Sequence, residues 1–121
     1  MTIRTILVVD DSATERHIIG EILTKAGFSV SFAQDGETGV SLAKTQKPDL
    51  ILMDVVMPGL NGFQATRAIS KDDETQNIPI ILCTTKDQET DRVWGIRQGA
   101  KDYVLKPVDA AELLQKIAAF N

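Results

Sequence analysis

Five short segments rich in apolar residues recur along the chain at regular intervals. They are Thr5–Val9, Ser29–Ala33, Leu50–Met53, residues 78–83 and Asp102–Leu105. Each segment is long enough for a strand and too short for a helix, and the first, third and fourth are almost continuously apolar. Continuous apolar runs of this length are typical of strands that are buried on both faces of a parallel sheet. The pattern therefore predicts five strands.

A helix-forming pattern follows each predicted strand. After the first strand, Ser12 stands three residues before Glu15, which is the spacing of a capping box, and Gly27 supplies a stop. The apolar residues between them recur at helical intervals, at Ile18, Ile19, Ile22 and Leu23. Further helical patterns lie between the Asp35-Gly36 turn and Pro48 and over residues 63–70, 89–97 and 109–120.

Strict alternation of strands and helices predicts an α/β fold built on a doubly wound parallel sheet. Right-handed crossovers place helices on both faces of such a sheet. The chain of 121 residues has the size of one ordinary domain, and no repeat, low-complexity tract or linker divides it. We therefore expect a single domain over residues 1–121 with no attached output domain.

The composition argues against several classes of function. The net charge of -4 and the absence of any basic run do not suit a protein that binds nucleic acid through its phosphates. The longest apolar runs fall well short of the ~18 residues that membrane insertion requires. The single cysteine, Cys83, lies in an apolar run and has no partner in the chain for a disulfide, which fits a reducing compartment. We therefore expect a cytoplasmic protein.

Polar residues with complementary chemistry follow four of the five predicted strands. They are Asp10 and Asp11, Asp54, Thr84 and Lys106. The carboxyl ends of parallel strands meet at one edge of the sheet, which is where ligands bind in this architecture. Three carboxylates at that edge would repel one another unless a cation neutralised them. Oxygen ligands without histidine favour a hard ion, so the sequence predicts a Mg²⁺ site.

These residues resemble the signature of bacterial response-regulator receiver domains, typified by the chemotaxis protein CheY. The resemblance rests on Asp10-Asp11, Asp54 with Met57-Pro58-Gly59, Thr84 and Lys106-Pro107, and it covers essentially the whole chain. It implies a flavodoxin-like (βα)5 receiver fold with strand order 2-1-3-4-5. Residues 53–106 are most similar to the PilH type of receiver, which is associated with twitching or pilus-based motility.

The resemblance implies a role for each site residue. Asp54 would be the phosphoacceptor that receives a phosphoryl group from a histidine kinase of the CheA-like kind. Asp10, Asp11 and Asp54 would hold Mg²⁺ together with the backbone carbonyl of Val56. Lys106 would contact the phosphoryl oxygens, and a cis peptide bond before Pro107 would orient that lysine. Such a protein is a signalling switch that catalyses only its own phosphorylation and slow dephosphorylation.

The resemblance also implies a conformational readout. The Thr84 hydroxyl would turn toward the phosphoryl group, and the ring of Tyr103 would rotate inward into the vacated space. The surface formed by the fourth helix, fifth strand and fifth helix would change and meet a downstream protein, such as a pilus motor or regulatory protein. Tyr103 has a simpler alternative role as a cover for the edge of the core.

Trp94 is a candidate anchor on this surface. Val93 and Ile96 are predicted to face inward, which would leave the indole outward, where it could contact a partner. Its alternative role is packing across a neighbouring helix. The resemblance also implies that Val56 and Lys86 flank the path of a hydrolytic water. We expect a monomer, and the sequence leaves open whether the protein carries a signal or drains phosphate from a pathway.

Two other classes of protein share parts of this pattern. Haloacid-dehalogenase-like phosphatases also use an aspartyl phosphate, but their second aspartate lies two residues after the nucleophile and they carry a cap domain. Flavodoxin-like electron carriers bind a flavin phosphate in a first loop that is rich in Ser, Thr and Gly. The acidic pair Asp10-Asp11 would repel that phosphate.

Overall fold

A computed structural model describes residues 2–121 as five strands and five helices in strict alternation. The elements are β1 (Thr5–Val9), α1 (Ala13–Lys25), β2 (Ser29–Ala33), α2 (Gly36–Gln46), β3 (Leu50–Met53), α3 (Gly62–Lys71), β4 (Ile80–Thr84), α4 (Glu89–Gln98), β5 (Asp102–Leu105) and α5 (Ala110–Ala118). All strand pairs are parallel, and the order across the sheet is β2-β1-β3-β4-β5. The predicted fold class and strand order are confirmed.

Strand side chains alternate between two cores on opposite faces of the sheet. Leu7, Val9 and Leu82 belong to one core, which also contains side chains of α2 and α3. Ile6 and Val8 belong to the other core, which contains side chains of α1 and α5. Because both faces are covered, the central strands are fully buried, which explains their continuous apolar sequence.

Several elements differ from the prediction by one or two residues at their ends, and two of these differences have a clear backbone reason. Strand β4 begins at Ile80 rather than residue 78, because Pro79 has no N–H to donate to the ladder, although its carbonyl accepts from Ile51 N (3.0 Å). Helix α3 begins at Gly62, one residue early, because Asn61 and Gln64 form a reciprocal capping box.

The predicted inward face of α4 is wrong. Val93 and Ile96 are 45% and 43% exposed, whereas Gly95 and Gln98 are buried. A Cβ at Gly95 would collide with the Leu82 side chain, so this glycine lets the helix lie close against the sheet. Apolar spacing in so short and polar a helix did not reveal which face packs inward.

Lys47 caps the end of α2 in the left-handed conformation, with φ of 48°. A side chain is disfavoured there, so we expect Lys47→Gly to raise the free energy of unfolding by about 1 kcal/mol, measured by urea denaturation. Lys47→Ala removes the same charge and leaves the backbone strained, and it should give little gain. Equal gains in both variants would contradict this explanation.

Candidate functional site

The carboxyl ends of four strands bring the predicted site residues to one edge of the sheet. Asp10 follows β1 and Asp54 follows β3. Thr84 is the last residue of β4, and Lys106 follows β5. Backbone hydrogen bonds extend between neighbouring strands here, from Asp54 N to the Val9 carbonyl and from Lys106 N to the Thr84 carbonyl, both at 2.9 Å. The register of the sheet therefore sets the spacing of these side chains.

Three carboxylates converge at this edge. Asp10, Asp11 and Asp54 each offer an oxygen that lies within 4.8 Å of those of the other two. Asp10 and Asp54 are only 2% and 6% exposed, whereas Asp11 faces solvent. Like charges this close in a poorly hydrated pocket repel one another strongly. The cluster therefore requires nearby positive charge.

Lys106 supplies one positive charge directly. Its Nζ lies 2.6 Å from Asp10 Oδ2 and 3.5 Å from Asp54 Oδ1, and its side chain is largely buried. With all three carboxylates ionised, one lysine leaves two negative charges in the cluster. A divalent cation has the charge that would neutralise them.

The same balance is visible in the pKa values. Burial, and after it the charge of Asp10, raises the pKa of Asp54 from 3.8 to about 6, although Lys106 and a hydrogen bond from Val55 N oppose the shift. Burial lowers the pKa of Lys106, but its hydrogen bond to Asp10 and the carboxylate charges outweigh that effect and raise it overall. A bound cation would favour the ionised form of Asp54.

The donor set fits a hard divalent cation. The cluster consists of carboxylates and contains neither histidine nor cysteine. Oxygen ligation of this kind suits Mg²⁺, which retains several waters and commonly takes only one or two protein carboxylates together with phosphate oxygens. The exposed position of Asp11 leaves one side of the cluster open to solvent.

The loop after Asp54 is held by close backbone packing. Gly62 N donates to the Val55 carbonyl (2.9 Å), and a Cβ on Gly62 would collide with the Asp54 carbonyl. On the other side of the loop, the Glu37 carboxylate accepts a hydrogen bond from Leu60 N (3.1 Å). A cleft of about 400 Å³ opens beside this loop and is lined by Val55, Val56, Met57, Asn61, Phe63 and Lys86.

A short chain of contacts leads away from Thr84. The Thr84 Oγ1 accepts a hydrogen bond from Lys86 N (3.3 Å), and the Lys86 carbonyl accepts one from the Tyr103 hydroxyl (2.8 Å). The Tyr103 ring is 5% exposed and belongs to the core that contains Leu82. The ring therefore already occupies the inward position in this structure.

The remaining predicted residues lie outside the cluster. The Lys106–Pro107 peptide bond is cis. The Val56 side chain is exposed at the cleft. Trp94 is exposed on α4. Burial raises the pKa of the Cys83 thiol to about 12, so this cysteine is inert at neutral pH.

Two contacts to Asp10 were missed by the sequence analysis. Ser12 N donates to Asp10 Oδ1 (2.9 Å), and the Arg16 Nη1 donates to the Asp10 carbonyl (2.6 Å). Arg16 carries a positive charge in the first turn of α1, where acidic residues are favoured. This unfavourable placement is the sequence signal that could have indicated that Arg16 contacts the site.

The chain matches a known protein family over nearly its whole length. Residues 6–118 match the family described as the response regulator receiver domain. The chain belongs to this family. It is therefore a receiver-domain response regulator of two-component signalling, a class of signalling proteins whose phosphodonor is a histidine kinase. Neither the phosphatase nor the flavin-carrier alternative is compatible with this membership.

Curated relatives and solved structures agree with this assignment. The protein PilH from Pseudomonas aeruginosa is 60% identical over 94% of both chains. The response regulator PleD from Caulobacter vibrioides is 39% identical, and the match covers 96% of this chain but 26% of PleD.

Two solved structures share the fold over nearly the full length of both chains. The chemotaxis protein CheY4 from Vibrio cholerae superposes with a TM-score of 0.92 at 28% identity, covering 99% of this chain and all of CheY4. The receiver domain of the sensor kinase PA1611 from P. aeruginosa, described with a magnesium ion coordinated in its active site cleft, gives a TM-score of 0.90 at 33% identity and covers 98% of each chain.

The helices described for residues 2–121 include none with the length and hydropathy needed to cross a membrane.

In metal-free buffer at pH 8, we expect Asp54→Asn to raise the free energy of unfolding by about 2 kcal/mol. The pKa of Asp54 is higher in the folded chain, at about 6, than its ordinary value of 3.8, so the ionised carboxylate destabilises the fold. The gain should approach zero well below pH 3.8, where the carboxyl is protonated in both states, grow as the pH rises from 3.8 to about 6, and level off at higher pH.

Urea unfolding between pH 4 and pH 8 measures this dependence. Asp73→Asn is the matched control, because Asp73 is exposed in the turn after α3. A gain for Asp54→Asn that is the same at both ends of the pH range would contradict the electrostatic explanation.

Proposed function

We propose that this protein is a response regulator that accepts a phosphoryl group from a histidine kinase on Asp54 in a Mg²⁺-dependent reaction. The proposal rests on the convergence of three carboxylates and a buried lysine side chain at the strand ends. Membership of the receiver family supports the same reaction. The matched residues 6–118 would act as one receiver domain.

The carboxylates of Asp10, Asp11 and Asp54, with the Val56 carbonyl, are the proposed ligands of Mg²⁺. The bound ion would neutralise charge that builds up between the acceptor and the incoming phosphoryl oxygens. The fit of the oxygen donors and the two uncompensated negative charges support this assignment. The magnesium ion described in the PA1611 receiver domain is consistent with it.

Asp54 is the proposed nucleophile. One of its carboxylate oxygens attacks the phosphorus of a phosphohistidine, and the P–N bond breaks as the imidazole leaves with its electron pair. The product is an acyl phosphate on Asp54. The close packing of Gly62 against the Asp54 backbone holds the acceptor in place during this transfer.

Lys106 would stabilise the transferred group by charge. Its ammonium lies between Asp10 and Asp54, where it can donate to a phosphoryl oxygen on Asp54 while it remains paired with Asp10. The cis peptide bond at Pro107 stands directly after this lysine. The reaction thus depends on positioning and charge rather than on a separate acid or base.

Thr84 and Tyr103 form the proposed switch, with Lys86 as the link. The backbone of Lys86 bonds the Thr84 hydroxyl on one side and the Tyr103 hydroxyl on the other. When Thr84 turns toward a phosphoryl oxygen, Lys86 N loses its acceptor and the loop before α4 is released to move. Phosphorylation would therefore alter the contacts of the Tyr103 ring and the position of α4.

The output surface is formed by α4, β5 and α5. Four large apolar side chains are exposed on α4 and β5, namely Val93, Trp94, Ile96 and Leu105. Large apolar side chains that are exposed on neighbouring elements often take part in protein contacts. A cleft of about 290 Å³ between α4 and α5 includes Tyr103 and Leu105, which connects this surface with the switch. Trp94 is the proposed partner anchor.

The pathway proposed is a chemotaxis-like phosphorelay that controls pilus or twitching motility. The 60% identity with PilH supports this choice over other receiver pathways. The phosphodonor would be a CheA-like kinase, and the downstream target a pilus motor or regulatory protein. The protein would act as a cytoplasmic monomer.

Incubation with Mg²⁺ and acetyl phosphate tests the phosphorylation reaction. We expect one acid-stable, base-labile phosphoryl group per chain by mass spectrometry. Asp54→Asn and removal of metal with EDTA should abolish its incorporation, and Lys106→Met should slow it about a hundredfold. Asp73→Asn should behave as wild type, and phosphorylation of Asp54→Asn at the wild-type rate would overturn the proposal.

The fluorescence of Trp94, the only tryptophan, tests the switch. We expect Mg²⁺ with beryllofluoride, an analogue of the phosphoryl group, to change its emission, because α4 moves when Thr84 does. Thr84→Val removes the hydroxyl and should reduce the change severalfold. Thr85→Val is the matched control at an exposed neighbouring position, and equal responses in both variants would exclude Thr84 as the trigger.

A further inference from the structure

Arg16 makes an unusual contact with the site. Its Nη1 reaches back from the first turn of α1 and donates to the backbone carbonyl of Asp10 at 2.6 Å. Helical side chains lean toward the N-terminus of their helix, so this direction requires no distortion. The acceptor is the peptide group that joins Asp10 to Asp11, the two adjacent carboxylates of the metal cluster.

The contact completes a set of restraints on Asp10. Its backbone N donates to the Ala33 carbonyl of β2 at 3.1 Å, and its carboxylate is held by Ser12 N and Lys106 Nζ. The Arg16 contact holds the remaining polar group, the carbonyl. Because the next residue is the exposed Asp11, the orientation of this peptide sets the direction in which the Asp11 side chain leaves the backbone.

A simple ion pair does not explain the position of Arg16. Within residues 2–121, its guanidinium forms no salt bridge with a carboxylate. A positive charge in the first turn of a helix is also unfavourable beside the partial positive charge of the helix terminus. The contact with the Asp10 carbonyl is therefore the feature of the described structure that accounts for its placement.

We propose that Arg16 is a positioning residue for metal binding, which fixes the Asp10–Asp11 peptide so that both carboxylates point into one coordination sphere. The inference rests on the proposed function, because it assumes that these carboxylates hold Mg²⁺. Partners that orient metal ligands in this way contribute strongly to metal affinity even though they do not touch the ion.

The two effects of removing Arg16 have opposite signs, which makes the proposal testable. Loss of a nearby positive charge by itself would tighten binding of Mg²⁺. Loss of the restraint on the peptide would weaken binding, because the two carboxylates would have to be ordered when the ion binds. Weaker binding in a neutral variant therefore reports positioning and cannot be a charge effect.

Isothermal titration of the metal-free protein with MgCl₂ measures the effect. We expect Arg16→Met to weaken binding about tenfold. Arg4→Met is the matched control, because it removes the same charge from an exposed residue directly before β1, at the opposite end of that strand from the site. It should bind Mg²⁺ as wild type does. An Arg16→Met protein that binds Mg²⁺ as tightly as Arg4→Met, or more tightly, would overturn the inference.

Two further measurements distinguish a positioning role of Arg16 from a folding defect and from a failure of the proposed function. Arg16→Lys keeps a donor that can reach a carbonyl, so it should bind Mg²⁺ more tightly than Arg16→Met, and failure to do so also counts against positioning. Hydrogen exchange of the Asp11 and Ser12 amides in metal-free buffer should be faster in Arg16→Met than in Arg4→Met. Absence of Mg²⁺ binding in the wild type would instead overturn the proposed function and this inference with it.

Discussion

The central physical constraint of this protein is the repulsion among three carboxylates at the edge of its sheet. Asp10, Asp11 and Asp54 lie close together beside a hydrophobic core, and Lys106 balances only part of their charge. Burial, and after it the charge of Asp10, raises the pKa of Asp54 to about 6. Binding of a divalent cation would relieve this repulsion and lower the free energy of the site. This relief links metal binding to the proposed phosphoryl transfer.

The sheet makes such crowding possible because its backbone hydrogen bonds fix the positions of Asp10 and Asp54. Asp54 N bonds the Val9 carbonyl, which continues the ladder between β1 and β3 up to the acceptor. Gly62 then allows the start of α3 to lie against the Asp54 backbone. Rigid backbone on both sides holds the charges together, and this rigidity is also what phosphoryl transfer requires of an acceptor.

The proposed connection between the site and the output surface depends on the backbone of one residue, Lys86. Lys86 bonds Thr84 through its N–H and Tyr103 through its carbonyl, so a small movement at the site has a defined route to α4. Helix α4 is suited to respond, because it packs on the sheet through Gly95 rather than through large apolar side chains. The same arrangement leaves Val93, Trp94 and Ile96 exposed for a partner.

The sequence by itself determined the order of strands and helices, the fold class and the set of residues at the strand ends, because apolar runs and the polar residues that end them are local features. It did not determine the inward face of α4, the inward position of Tyr103 or the contact of Arg16 with the Asp10 carbonyl. These features arise where segments distant in the chain pack together, as Gly95 does on Leu82. Local periodicity contains no information about such close approaches, and only the tertiary structure decided them.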